Sequence, residues 1–202
     1  MNLPRVLGLY SPVPQQGKST VAKYLKTRYG YQVVSFATPL KRMATQFLHA
    51  MGYSPFEIDG FLSEGKSTRL AEITVDTRHI LQTLGTEWGR DCIHPDVWVM
   101  CWKRQVNSFL QMGIPVVCDD LRFINEYRAL RHIAPETAFW RITRSSFYDQ
   151  IASHPSEGFA ENNSNVFIDA EIHNFHSLDD LTKQIDQMLE TPQHNAIPVR
   201  SD

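Results

Sequence analysis

Short apolar runs of strand length alternate along the chain with longer stretches whose apolar residues recur at helical spacing. Residues 5–10 (RVLGLY), 31–36 (YQVVSF), 114–118 (IPVVC), 137–142 (TAFWRI) and 166–170 (VFIDA) form the first set. Residues 18–29, 39–51, 77–90, 96–112, 123–133 and 178–190 form the second. In the first of these helices Val21, Tyr24, Leu25 and Arg28 recur at helical spacing, and Gly30 is a natural stop. Strand and helix in succession predict an α/β fold, a parallel central sheet with helices on both faces. Ligands of such sheets bind beyond the carboxyl ends of the strands. The loops after residues 10, 36, 118 and 142 are therefore where chemistry is expected.

Two segments interrupt the alternation. Residues 52–77 carry Gly52, Pro55, Gly60 and Gly65 among scattered charges and read as a loop-rich insertion. Residues 144–164 are polar and lie between strands, which suits a mobile lid. From Thr191 onward, Pro192 and Pro198 mark a tail expected to fray. The predicted organisation is one domain over residues 1–190, followed by a flexible tail over 191–202. A chain of 202 residues buries about 70% of its unfolded surface, enough for a core without staples.

Composition narrows the function classes. A formal net charge of −2 argues against a general nucleic-acid binder, which carries a basic surplus. No run approaches the ~18 apolar residues of a membrane span, and the N-terminus is an apolar strand without a cationic leader, so a cytoplasmic protein is expected. Cys92, Cys101 and Cys118 are odd in number and lack C-x-x-C spacing, which predicts reduced, buried thiols. The eight histidines include His173 and His176 but no H-x-x-x-H pair with a matching acid, so no transition-metal site is expected.

The tetrapeptide GKST occurs twice. The phosphate-loop pattern G-x-x-x-x-G-K-[ST] wraps nucleotide phosphates in backbone N–H groups while its Lys and Ser/Thr meet phosphate and Mg²⁺. Residues 60–67 (GFLSEGKS) fit it letter for letter, but they follow residues 54–59 (SPFEID), which have no buried-strand character. Residues 12–19 (PVPQQGKS) fail at the first position, where Pro12 replaces Gly, yet they stand between a strand and a helix, the setting that gives the pattern meaning. The first copy is therefore taken as the working loop and the second as a solvated loop. Pro12 and Pro14 offer no N–H, so the cradle must rest on Gln15, Gln16, Gly17, Lys18, Ser19 and Thr20. A nucleotide affinity below that of a glycine-built loop is expected.

Phosphoryl transfer needs positioned cations and metal rather than covalent help. Lys18 would reach the β/γ-phosphates and Ser19 would ligate Mg²⁺. Asp119 and Asp120 end an apolar strand, where an acid can hold Mg²⁺ or face an acceptor, and Arg122 emerges beside them. Spacing does not say which aspartate is nearer the metal, and a simple acidic turn is the alternative. Lys41 follows Pro39 at a helix start, placed either for an acceptor phosphate or for solvent. Arg78 and Gln82, spaced i, i+4, share a helix face, and Arg90, Asp91 and Asp96 follow. Arginine supplies a bidentate phosphate fork, while Gln or Asp reads a base edge or sugar hydroxyl. Trp88, Trp98 and Trp102 are core or interface aromatics by default, with base stacking the second reading. Arg141 and Arg144 bracket the start of the lid, which also holds His154 and Glu157.

TPLK, R-x-x-L-Q-x-L-G-T-E-W-G-R-D, P-D-x-W, DDLRFINE and HPSE together resemble the bacteriophage and bacterial deoxynucleoside monophosphate kinases. The resemblance runs over most of the chain and is most specific in residues 78–98 and 119–126. It implies a P-loop NTPase three-layer fold of the nucleoside monophosphate kinase type, with ATP·Mg²⁺ as donor and a deoxynucleoside monophosphate as acceptor. By position Lys41, Arg78, Gln82, Arg90, Asp91, Trp98, Asp120 and Arg122 would serve the acceptor. Lys18 and Ser19 would serve ATP, Ser19 and Asp119 the metal, and Arg144 the lid. Lys18, Asp119, Arg122 and Arg144 are thus the expected catalytic set. No nucleic-acid polymer or membrane partner is implied, and the sequence does not decide between monomer and homodimer. Two rivals stand beside this reading: a P-loop kinase for another phosphorylated metabolite or a nucleoside, and a nucleotide-binding protein that has lost catalysis.

Overall fold

All five residues of Val6–Tyr10 (β1) are buried, as a central parallel strand covered on both faces requires. The computed structural model describes residues 3–63, 70, 75–144, 160 and 163–190. It pairs β1 with β3 (Val116–Cys118) on one side and β4 (Thr137–Thr143) on the other. Beyond them lie β2 (Gln32–Val33) and β5 (Ala170–His173), giving a five-stranded sheet in the order β2-β3-β1-β4-β5 with every pairing parallel. The chain divides into two compact units, Met1–Val33 with Phe109–Asp202, and Val34–Ser108.

The first unit holds the sheet in three layers. Leu7, Leu9, Trp140, Ile142 and Ile172 pack against Val21 and Leu25 of α1 (Lys18–Tyr29) and Leu181, Ile185 and Leu189 of α7 (Leu178–Glu190). On the other face Phe139 stacks on Tyr10 at 5.8 Å and meets Tyr127 of α6 (Ile124–Arg131) edge-on at 5.0 Å. Gly8 permits this close packing, since a Cβ there would lie 2.6 Å from Leu130. The parallel α/β sheet is therefore as the alternation predicts, and the P-loop arrangement is as the resemblance implies.

The second unit is helical among the described residues: α2 (Thr38–Ala50), α3 (Pro55–Ser63), α4 (Thr77–Thr83), a π-helical segment (Leu84–Ile93) and most of α5 (Val97–Gln111). Leu48, Ile58 and Leu70 make one buried cluster, with Tyr53 and Phe61 packed against it. Trp102 is fully buried, stacks on Phe36 at 4.6 Å and donates its indole N–H to the Val34 carbonyl at 3.0 Å.

Several boundaries differ from expectation. The strand expected over 31–36 pairs only at Gln32–Val33, because Val34 and Phe36 are taken up by Trp102. The last strand begins at Ala170 rather than 166. Asp169 closes the approach by accepting from the Phe139 N–H at 2.6 Å and pairing with Arg131 at 2.7 Å. Only Ile172 of this edge strand is buried, so the apolar run before it misled the placement. Within the expected loop-rich 52–77, α3 forms behind a reciprocal cap: Glu57 accepts from both the N–H and hydroxyl of Ser54, at 2.9 and 2.6 Å. The single helix expected over 77–90 divides into α4 and the π-helical segment. Two thiols expected to be buried are exposed: Cys92 on the π-helical segment, and Cys101 off the buried stripe Trp98, Val99, Trp102 and Val106 of α5. Among the described residues, no helix is long and apolar enough to cross a membrane.

Candidate active site

Strand order explains why distant sequence positions meet. β3 and β4 flank β1 in parallel, so the segments leaving Tyr10, Cys118 and Thr143 emerge at the same edge of the sheet. The first enters α1 through Gly17, which sits at φ 107°, a left-handed conformation that glycine adopts freely. Gln15, at φ 62°, is the one non-glycine residue with positive φ among those described. A loop that opens on Pro12 thus turns at Gln15 and Gly17 instead. No side chain caps the start of α1 and its first turn holds no acid, which leaves the helix end electropositive.

Lys18 directs its ammonium to the Ser11 hydroxyl, which in turn donates to the Val13 carbonyl at 2.8 Å. Burial lowers the Lys18 pKa from 10.5 to about 8, and the Arg122 guanidinium adds to the depression; Asp119 and Asp120 act in the opposite sense. The Ser19 hydroxyl donates to Asp119 at 3.4 Å. Asp120 instead accepts from the Cys118 thiol at 3.4 Å, and burial with the neighbouring acids pushes that thiol well above its ordinary pKa. Of the two aspartates, Asp119 is thus the one beside Ser19.

A hydroxyl and a carboxylate are hard oxygen donors suited to Mg²⁺, which typically takes one or two carboxylates and completes its shell with water and substrate phosphates. The described residues contain no cluster of three or more His, Cys, Asp or Glu that could enclose a metal by themselves. The donor set therefore fits a cation shared with bound phosphates.

Arg122 is exposed and its backbone is fixed from behind. The Glu126 carboxylate, 2% exposed, accepts from the N–H groups of Arg122 and Phe123 at 2.8 and 3.2 Å. Arg144 is also exposed, and its backbone N–H donates to the Gln16 side chain at 2.5 Å. Arg141 is engaged in an ion pair with Glu171 across the β4–β5 ladder. The expected lid beyond Arg144, with His154 and Glu157, lies outside the described residues apart from Ala160, Asn163 and Ser164. So does residues 64–69 of the second GKST copy. Its described start, residues 60–63, lies in α3, not after a strand.

In the second unit Lys41, Arg78, Gln82 and Asp91 are exposed and Arg90 is half-buried. Trp98 is 4% exposed and donates its indole N–H to the Gly85 carbonyl at 2.8 Å. Its ring closes against Gly89, where a Cβ would meet it at 2.5 Å and the Leu84 carbonyl at 2.9 Å. Trp98 therefore shapes the π-helical segment rather than presenting an open face for a base. Trp88, 41% exposed, tilts against it with ring centroids 6.4 Å apart.

Sequence reasoning passed over Ser11, Glu126 and Asn174. Asn174 donates from its side chain to the Gln16 carbonyl at 2.9 Å and from its backbone to the Thr143 carbonyl at 2.8 Å. The available signal was its position directly after a strand, which the misplaced last strand concealed.

A phosphate loop after the central strand of a parallel β2-β3-β1-β4-β5 sheet defines an α/β protein of the P-loop fold. No family model matches the chain. Over 100 residues it is 29% identical to the deoxynucleoside-5'-monophosphate kinase of Escherichia phage T5; this match spans 48% of the chain and 39% of that relative's length. Among solved structures, dephospho-CoA kinase from Campylobacter jejuni aligns over 92% of the chain and 97% of its own, at 12% identity and a TM-score of 0.50. TT1252 from Thermus thermophilus aligns over 93% and 97%, at 17% identity and a TM-score of 0.48. The C. jejuni likeness is one of fold, and the phage relative adds similarity in sequence to a kinase.

Proposed function

We propose that this chain is a deoxynucleoside monophosphate kinase, transferring the γ-phosphoryl group of ATP to a deoxynucleoside monophosphate. The observation that carries the kinase reading is the grouping of Lys18, Ser19 and Asp119 at the carboxyl ends of β1 and β3. Support for the deoxynucleotide acceptor comes from the 29% identity to the phage enzyme and from the family-like run of Arg78, Gln82, Arg90 and Asp91.

An oxygen of the acceptor phosphate attacks the γ-phosphorus in line as the bond to the β–γ bridging oxygen breaks, and ADP leaves with the electron pair. The acceptor is already an anion at neutral pH, so no general base is needed. Lys18, with the uncapped start of α1, binds the β- and γ-phosphates and stabilises the charge spread over them in the transition state. Arg122, held through Glu126, supplies a second cation. Lys41, Arg78, Gln82, Arg90 and Asp91 are the acceptor-reading candidates of the second unit. Ser19 and Asp119 would hold Mg²⁺, which supplies charge neutralisation on the phosphates.

The test is ADP release from ATP·Mg²⁺ across ribo- and deoxynucleoside monophosphates, with Lys18→Ala and Lys66→Ala in parallel. Turnover with a deoxynucleotide that disappears only in Lys18→Ala is expected. Loss in Lys66→Ala alone would transfer the role to the second GKST copy. Silence across the panel with nucleotide still bound would leave a binding protein without catalysis.

A further inference from the structure

We propose that Asn174 and the Gln16 side chain are positioning residues that set the N–H donors of this proline-opened phosphate loop. The inference rests on the nucleotide-binding role proposed for residues 15–20.

Two side-chain amides hold loop carbonyls, one from within the loop and one from beyond β5. Gln16, 2% exposed, directs its amide inward: its Nε2–H donates to the Pro14 carbonyl at 3.3 Å, and its Oε1 accepts from the Arg144 N–H at 2.5 Å. Asn174 donates to the Gln16 carbonyl at 2.9 Å. The described peptide bonds are all trans, and in a trans unit the C=O of one residue and the N–H of the next point in opposite directions. Fixing the Pro14 carbonyl therefore fixes the Gln15 N–H, and fixing the Gln16 carbonyl fixes the Gly17 N–H. Both point away from the amides that hold the carbonyls.

The arrangement answers the deficit left by the prolines. Pro12 and Pro14 contribute no N–H, so the donors that remain must be aimed without the usual glycine at the loop's first position. Asn174 is anchored in turn, its backbone N–H donating to the Thr143 carbonyl at 2.8 Å. It also comes so close that a Cβ on Gly17 would lie 2.5 Å from its Nδ2. Gly17 is thus demanded twice, by its φ and by the amide pressed against it. The grip reaches the loop from the ends of β4 and β5, which ties the cradle to the same strand that delivers Arg144.

Calorimetric titration with ADP·Mg²⁺ and with inorganic tripolyphosphate tests this on Asn174→Ala, Asn174→Asp and Gln16→Ala, beside wild type and Lys18→Ala. A misaimed N–H to phosphate should weaken both ligands by the same factor, about tenfold or more. The isosteric Asn174→Asp, which loses the donor and sets a carboxylate against a carbonyl, should lose at least as much as Asn174→Ala while keeping a near-native thermal midpoint. Unchanged affinities in the folded variants would overturn the inference. A loss for ADP alone, with tripolyphosphate unaffected, would also overturn it, making Asn174 a contact to base or sugar. Failure of the underlying reading looks different: wild type binds neither ligand, or Lys18→Ala binds both as well as wild type, and the inference then falls with it.

Discussion

Lys18 gives the proposed nucleotide site a proton-linked signature. Burial, reinforced by Arg122, holds its pKa at about 8 in the unliganded protein. A bound diphosphate places anionic charge beside the ammonium and restores the charged form. At pH 8 about half of the unliganded molecules carry a neutral Lys18, so ADP binding should take up about half a proton. The uptake should be about 0.1 proton at pH 7 and about 0.9 at pH 9. If only the charged form binds, ADP affinity falls about tenfold between pH 7 and pH 9. Titration calorimetry in two buffers of different ionisation enthalpy reads the uptake directly, with Lys18→Met as the control. An uptake near zero at pH 8, or one equally large in Lys18→Met, would refute the reasoning. The same depression has a consequence for stability. An unfolded lysine keeps its proton until about 10.5 while the native one releases it near 8, so the unliganded fold gains stability as pH rises between those values. Over that interval the gain is on the order of 3 kcal/mol at about 1.4 kcal/mol per pH unit. Chemical denaturation at pH 8 and pH 10 should show the difference between wild type and Lys18→Met.

Three further substitutions probe the supports. Gly89→Ala drives a methyl into the Trp98 ring and the Leu84 carbonyl, at 2.5 and 2.9 Å, and should destabilise by about 1–3 kcal/mol in urea denaturation; an unchanged midpoint would show that the π-helical segment yields. Glu126→Ala removes the acceptor for two backbone N–H groups and should lower stability by about 1–3 kcal/mol, with Glu126→Gln recovering part of the loss in the same assay. Asp119→Asn should leave the thermal midpoint within a few degrees of wild type and raise the Mg²⁺ concentration for half-maximal turnover several-fold, whereas Asp120→Asn should shift it less; the reverse ranking would put the metal on Asp120.

The parts of the site legible in the sequence are those whose chemistry is local. Strand, loop and helix follow one another over residues 5–29, so Lys18 and Ser19 could be placed despite Pro12, and the letter-perfect second copy could be set aside for lacking a strand. Asp119 was legible as an acid ending an apolar strand. Its preference for Ser19 over Asp120's partner was not, because that depends on which way two adjacent side chains turn after β3. Trp98 packs where Gly85 and Gly89, two glycines four apart, leave room for a large side chain against that turn, in keeping with the core reading of its aromatic ring.

What remained illegible is contributed by the edge of the sheet. β5 exposes every second side chain and buries only Ile172, so it lacks the continuous apolar run that marks a central strand. The apolar stretch just before it carries the stronger strand pattern, and Asn174, which the true strand delivers, has no pattern of its own. That displacement has a mechanistic content. Hydrophobic patterning reports the residues that build a core, while a positioning residue is selected by one hydrogen bond to one carbonyl and leaves no periodic trace. Gln16 sits in the phosphate loop and could be found by motif, but its buried side chain bonds to the Arg144 N–H, 128 positions away. In this chain the phosphate cradle is thus written in one segment and aimed from two others, and only the strand order brings the three together.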